Sequence, residues 1–292
     1  MAFSDGKGIG MSGILYVVAT PIGNLSDLSR RAAETLSAVD LIAAEDTRHS
    51  RIILAHLALR KPVVSYHAHN EAQRSAELLR RLQAGEQVAL ISDAGTPLVS
   101  DPGFRLVDLA HRHAIPVVPV PGPSAVITAL SAAGLATDRF TFLGFLPSKK
   151  KARQELLRSV VDAGQTQVFF ESSHRIRDTL CDFQRCFDNA RLMAIARELT
   201  KQFEEIVRLP VGEAVDWLDS DANRSRGEFV LLLSGVEVPA CDAGRQSSEI
   251  DRLITLLQPQ LPLKKVVEIC VDYFGVPKNQ VYRMALEQKK KN

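Results

Sequence analysis

From Ile14 onward, short apolar runs alternate with longer amphipathic ones. ILYVVAT, DLIAAE, PVVSYH, VALIS and PVVPV have the length and composition of buried strands. Between and after them, residues 25–38, 47–57, 71–82, 104–113 and 124–133 carry apolar positions at helical spacing. The alternation predicts repeated βα units and a mostly parallel sheet. A second set begins near Phe140 with FTFLGF and continues through QVFFES, LMAIARE, EEIVRL and EFVLLLSG, with helical patterns at 151–162 and 176–187. Here the strands follow one another more directly, which predicts a mixed sheet.

Residues 236–247 (VEVPACDAGRQS) lack periodicity and read as a linker. Beyond it, residues 250–257, 263–274 and 278–289 read as three short helices. The turn around Gly275, Pro277 and Asn279 suits a helix-turn-helix-like arrangement, and a small packing or dimerisation bundle fits the same pattern. Lys264, Lys265, Lys278, Arg283 and Lys289 to Lys291 tilt the segment toward RNA. The expected fold class is α/β, with two α/β domains (13–136 and 137–236), a ligand cleft between them, and a C-terminal helical domain (248–292). The first twelve residues read as a disordered extension.

Composition changes this picture little. The 292 residues are 46% hydrophobic and 24% charged, enough for two compact domains, and a formal net charge of +2 neither demands nor excludes a nucleic acid partner. Cys181, Cys186, Cys241 and Cys270 form no CxxC pair and have no histidines at zinc-finger spacing, so neither a disulfide framework nor a metal site is expected. No signal-peptide core and no long apolar span is present, which points to the cytoplasm without membrane attachment.

Candidate chemistry gathers where strands end in turns. VALISDAGTPLVSDPG passes from a buried strand into a loop of small residues and Pro, with Asp93 and Asp101 where a phosphate loop would place Lys. A cationic or hydroxyl-rich ligand fits better than a bare phosphate. TPIGN (Thr20, Pro21, Gly23, Asn24) and PGPSA (Gly122, Ser124, Ala125) are two further turns that an open sheet can bring to one crevice. Free amides at the start of the helix after Ser124 suit a carboxylate. No GxGxxG follows the first strand, which excludes the usual dinucleotide site.

Together these turns resemble the tetrapyrrole methylase superfamily, whose members bind S-adenosylmethionine between two α/β domains. Gly95, Thr96 and Pro97 occupy the positions of that superfamily's Gly-Asp-Pro loop. Thr96 replaces the Asp of most corrin and haem pathway members, which argues against a porphyrin acceptor. ATPIGNL, EDTRHS, SYHAHNE, SDAGTPLVSDPG, PVPGPSA, FLGFLP, FFESSHRI and ARELTKQFEE, in that order, resemble the bacterial cytidine 2′-O-methyltransferases of small-subunit (16S) ribosomal RNA. The resemblance implies S-adenosylmethionine as donor, a ribose 2′-hydroxyl of ribosomal RNA in the small subunit as acceptor, and a cytoplasmic homodimer. It carries the cofactor site to Pro21, Gly95, Thr96, Val99, Ser124 and Ala125, closed by Glu171, Ser172 and Ala196 of the second domain. Asp93 either meets the amino-acid end of the cofactor or holds the loop.

Methyl transfer from a sulfonium is an in-line displacement that needs no metal, so positioning is the main task, with a base to draw off the hydroxyl proton. Glu45, Asp46, Glu171 and Lys201 are the candidates, and the sequence leaves the choice open. Arg48 and Arg51 lie one helical turn apart and suit RNA. So do His67 and Asn70 of HAHNE, Arg175 after the FFES strand, Arg197 of ARELTK, and Lys149, Lys150 and Lys151 in PSKKKAR. A small-molecule methyltransferase on the same fold, and a nucleic-acid-binding regulator with a ligand-sensing core, are the competing readings.

Overall fold

The structure is a computed structural model that describes residues 12–236 and 240–289, without the side chains of 240–246 and 287–289. The expected N-terminal extension falls, but for residue 12, outside the described residues. So do Lys290 and Lys291.

A first compact unit runs to Gly235 and holds two five-stranded sheets. The first contains β1 (Leu15–Val18), β2 (Leu41–Ala44), β3 (Val63–Ser65), β4 (Val88–Ile91) and β5 (Val117–Val120), in the order β3-β2-β4-β1-β5. All its pairings are parallel. Helices α1 (Arg30–Ala38), α2 (Thr47–His56), α3 (Glu71–Gln83), α4 (Phe104–Arg112) and α5 (Ala125–Ala132) follow the five strands in turn. β2 and β4 are buried at every position, as expected of inner strands covered on both faces. Pro119 is tolerated in β5 because that strand lies at the edge of the sheet, where one ladder of hydrogen bonds is absent.

The second sheet takes β6 (Phe140–Phe145), β7 (Thr166–Ser172), β8 (Leu192–Arg197), β9 (Glu205–Pro210) and β10 (Glu228–Leu233) in the order β6-β7-β10-β8-β9. Only β6 and β7 run parallel, so the sheet is mixed, as the closely spaced strands predicted. α6 (Lys150–Ser159), α7 (Ile176–Cys186) and the short α8 (Ala214–Asp219) pack with it. α8 has no counterpart in the sequence reading.

α5 joins the two sheets into one body. Val126, Ala129 and Leu130 of this helix share a buried cluster with Val168, Ala194, Ala196, Val230 and Leu232 of the second sheet. Its sequence AVITALSA is apolar on nearly all sides, yet only the face of Val126, Ala129 and Leu130 is buried, and Ile127 on the other is exposed.

The second unit begins at Val236 and contains α9 (Ala240–Leu257), α10 (Leu263–Phe274) and α11 (Lys278–Lys289). The three close on a core of Ile250, Ile254, Val266, Val267, Cys270, Val281 and Ala285. Gly275 ends α10 in the left-handed region (φ 64°), where a Cβ is costly. The predicted linker is corrected: α9 already begins at Ala240, its first turns too polar to reveal helical periodicity. Cys181, Cys186 and Cys270 are free thiols, and the Cys241 side chain lies outside the description. Among the described residues no helix is long and apolar enough to cross a membrane.

The basic PSKKKAR run splits on folding. Lys149, Lys150 and Lys151 stay exposed, but Arg153 turns inward to a salt bridge with Asp182 (2.7 Å), the two side chains 5% and 1% exposed. Replacing Asp182 by Ala strands a buried guanidinium and should lower stability by about 3–5 kcal/mol. The double variant Arg153→Met, Asp182→Leu should lose less, as urea denaturation of both proteins will report.

Candidate active site

The parallel strands β1, β2, β4 and β5 end on one edge, and their loops are tied together there. Thr20 and Gly95 exchange backbone hydrogen bonds of 2.8 and 3.0 Å. The Thr20 hydroxyl donates to the Ser92 carbonyl, and the Thr96 hydroxyl donates to the Pro123 carbonyl (3.2 Å each). The amide of Asp46 donates to Asp93 Oδ1 (2.8 Å). A hydroxyl at position 96 can donate to the Pro123 carbonyl, whereas an ionised carboxylate only accepts. Gly95 sits at φ 78°, and a Cβ there would stand 3.4 Å from Ile22.

This edge faces the second sheet across a cleft of about 440 Å³. The first sheet contributes Ile22, Glu45, the loop residues 93–96 and 99–101, Ser124 and Ala125. The second contributes Phe145, residues 170–173, Leu199 and residues 227–230. Phe145 and Phe170 meet edge to face, with centroids 5.4 Å apart, and give the cleft an aromatic wall. Ser124 makes no capping bond, so the first amides of α5 lack a side-chain acceptor at the rim.

Eight of the ten expected cofactor residues line this cleft: Asp93, Gly95, Thr96, Val99, Ser124, Ala125, Glu171 and Ser172. Pro21 is buried beside Ile22 without reaching the lining, and Ala196 lies wholly in the core shared with α5. Asp93 holds the loop, through the Asp46 amide and through His49 Nδ1 at 3.4 Å.

The expected bases separate sharply. Asp46 is held down to about 2 by the hydrogen bonds of Arg48, which grips both its oxygens. Burial works against the charge of Lys201, but hydrogen bonds from its ammonium to Glu228 (2.8 Å) and Glu198 (3.0 Å) outweigh it and raise its pKa. Both residues are thereby corrected as bases: one carboxylate is fully engaged, and the amine is locked in its charged form. The Glu171 carboxylate is 0% exposed, pairs with Arg175 (2.7 Å) and accepts from Thr179 (2.6 Å) and the Ser172 amide (2.8 Å). Glu45 remains open to the cleft; burial and then the charges of Asp101 and Asp93 raise its pKa. Asp101, the second acidic residue of that loop, stands in the same wall. Its pKa is pushed up to about 6, chiefly by burial and also by Asp93, with the nearby Ser92 hydroxyl working the other way.

The RNA candidates also divide. Arg51 and Lys149 to Lys151 are exposed, and Arg48 is exposed but clasped to Asp46. Arg197 is corrected from a phosphate contact to a structural strut: it is 7% exposed and donates to the carbonyls of Phe203, Asn223 and Arg226. Arg175 is similarly engaged by Glu171 and the Leu146 carbonyl. Asn70 closes a turn, accepting from the His67 amide and donating to the Ser65 carbonyl. His67 sits within that turn, half-buried.

Asp46, His49 and Asp93 bring one potential metal-ligating atom each within 4.8 Å of the others, the one such group among the described residues. Arg48 and the Asp46 amide already occupy its carboxylates. Glu228, Phe145 and Phe170 were missed from sequence. Glu228 reaches the cleft only because β10 inserts beside β7, opposite Ser172, a non-local pairing without a local signal.

This chain belongs to the tetrapyrrole methylase family: residues 14–215 match the Tetrapyrrole (Corrin/Porphyrin) Methylases. Residues 245–289 match the RsmI C-terminal HTH domain. The chain is 47% identical over 277 residues to the ribosomal RNA small subunit methyltransferase I of Escherichia coli O157:H7, covering 95% of this chain and 96% of that one. It is 48% identical over 283 residues to the protein of the same name from Pseudomonas aeruginosa, covering 96% and 99%. Among solved structures it resembles the methyltransferase CobJ (TM-score 0.58, 19% identity, 77% of this chain and 95% of that one). It also resembles the uroporphyrin-III C-methyltransferase of Thermus thermophilus complexed with S-adenyl homocysteine (TM-score 0.53, 20% identity, 76% and 97%). At these identities the solved structures speak for the fold.

Replacing Gly95 by Val forces a β-branched residue into the left-handed region and puts bulk into the cleft wall. Calorimetric affinity for S-adenosylhomocysteine should fall by at least about tenfold, the equivalent of about 1.4 kcal/mol. Unchanged affinity would remove the loop from the cofactor site.

Proposed function

We propose that this protein transfers a methyl group from S-adenosylmethionine to the ribose 2′-hydroxyl of a cytidine in small-subunit ribosomal RNA. The observation that carries the reading is the cleft between the sheets, lined by the carboxylates of Glu45, Asp93 and Asp101, in a chain similar along nearly its whole length to ribosomal RNA small subunit methyltransferase I proteins. The donor set fits the cofactor: three carboxylates favour a cation by Coulomb attraction, Gly95 leaves main chain accessible, and the amides at the start of α5 suit a carboxylate. When bound, S-adenosylmethionine supplies a methyl group on a positively charged sulfur.

The chain's own residues then bind and orient. The tied loops at 20–24, 92–101 and 121–125 hold one wall, and Phe145, Phe170 and Leu199 supply apolar surface that excludes water from the other. Fixing two reactants at contact distance accounts for a large part of such an acceleration. Arg51 and the exposed Lys149, Lys150 and Lys151 present cations to an RNA backbone. The working form is a cytoplasmic homodimer, a reading that rests on the family resemblance.

Nucleoside mass spectrometry of small-subunit ribosomal RNA from cells with and without this protein tests the function. One 2′-O-methylcytidine should disappear with the protein; an unchanged complement of methylated nucleosides would refute the reading. Charge reversal of Lys149, Lys150 and Lys151 to Glu should weaken RNA binding and flatten its dependence on salt, leaving S-adenosylhomocysteine affinity intact. An unchanged salt slope would exclude these lysines from the RNA contact.

A further inference from the structure

The carboxylates in and beside the cleft differ in their surroundings. Asp93 is occupied in holding the loop, Asp46 lies under Arg48, and Glu171 is buried with Arg175. Lys201 carries its proton between two carboxylates. Glu45 and Asp101 remain facing the cleft.

The backbone singles out Asp101. Leu98 and Ser100 adopt φ angles of 73° and 69°, in the left-handed region that costs residues with a Cβ, and they lie within three residues of it. Strain of this kind persists only where the surroundings enforce it, and here the strained turn carries Val99, Ser100 and Asp101 into the cleft wall. The charged groups that share the cleft with it are Glu45 at the end of β2 and Asp93 after β4, with Glu171 and Glu228 on the opposite wall.

We propose that Asp101 is the general base of the methyl transfer, accepting the proton of the ribose 2′-hydroxyl as that oxygen attacks. The inference rests on the function proposed above. A lone pair of the 2′-oxygen forms the new C–O bond, and the C–S bond of the donor breaks with its electron pair going to sulfur. The hydroxyl proton passes to an Asp101 carboxylate oxygen and from there to water. A carboxylate lifted to about 6 is ionised at neutral pH yet a better proton acceptor than an ordinary Asp, the compromise general-base catalysis favours. Asp93 contributes by like charge.

Two measurements on the full-length chain test this. A carboxyl carbon NMR titration, with the Asp101 resonance identified by its absence in Asp101→Asn, should give a pKa near 6. A titration at the ordinary value of 3.8 would overturn the proposal. In single-turnover methylation of small-subunit RNA, the wild-type rate should rise with pH through about 6 and then level. Asp101→Asn should lose about 10²–10⁴-fold in rate and lose this pH limb. Its affinity for S-adenosylhomocysteine, whose sulfur is neutral, should hold. Unchanged transfer by Asp101→Asn, or loss of S-adenosylhomocysteine binding in step with transfer, would overturn the assignment. A wild-type protein that methylates no RNA would instead refute the function on which it rests.

Discussion

The paired hydrogen bonds between Thr20 and Gly95 are the constraint from which the site follows. β1 and β4 are neighbours in a parallel sheet, and parallel neighbours ordinarily diverge once they enter their loops. This bridge keeps the two loops together for one further step beyond the strands. It needs a residue at φ 78° on one side, which Gly95 supplies, and a buried hydroxyl on the other, where Thr20 reaches back to Ser92. With those loops fixed, Thr96 reaches Pro123 and draws in the loop after β5, while Asp93 reaches the Asp46 amide and draws in the loop after β2. Four loop ends thus become one wall.

That wall would be an open edge if the second sheet were free to move. α5 prevents this, because the helix that starts at the wall buries Val126, Ala129 and Leu130 against strands β7, β8 and β10. The cleft is therefore bounded by two surfaces that share a core, and its opposite wall comes from the ends of β6, β7 and β10. Lys201 adds a polar tie at the rim. Its side chain lies over Gly23, where a Cβ would come within 2.4 Å, while its ammonium holds Glu198 and Glu228.

Legibility in the sequence followed the range of the interaction. The strands and helices of the first sheet were readable because each is a short run with its own period, and the edge position of Pro119 agrees with the rule that excludes proline from inner strands. The loops of the cleft were readable because Gly, Pro, Ser and Asp at strand ends carry local conformational meaning. Side-chain partnerships were not. Nothing in ARELTK distinguishes an open Arg197 from one caged by three carbonyls, and nothing in PSKKKAR shows Arg153 turning inward to Asp182, 29 residues away. Of the two carboxylates that lock the charge on Lys201, Glu198 is local, but Glu228 arrives only through the pairing of β10 with β7 and β8. The start of α9 was missed for a different reason: ACDAGRQSSE, its small and polar opening, has no apolar period to read.

The central claim is that one cofactor is held by both sheets at once. Hydrogen–deuterium exchange with and without S-adenosylhomocysteine tests it most directly. Added protection is expected at residues 93–101 and 124–128 of the first sheet together with residues 171–173 and 227–230 of the second. Protection confined to one sheet, or centred on the shallow surface pocket beside Arg51 and Pro62, would contradict it.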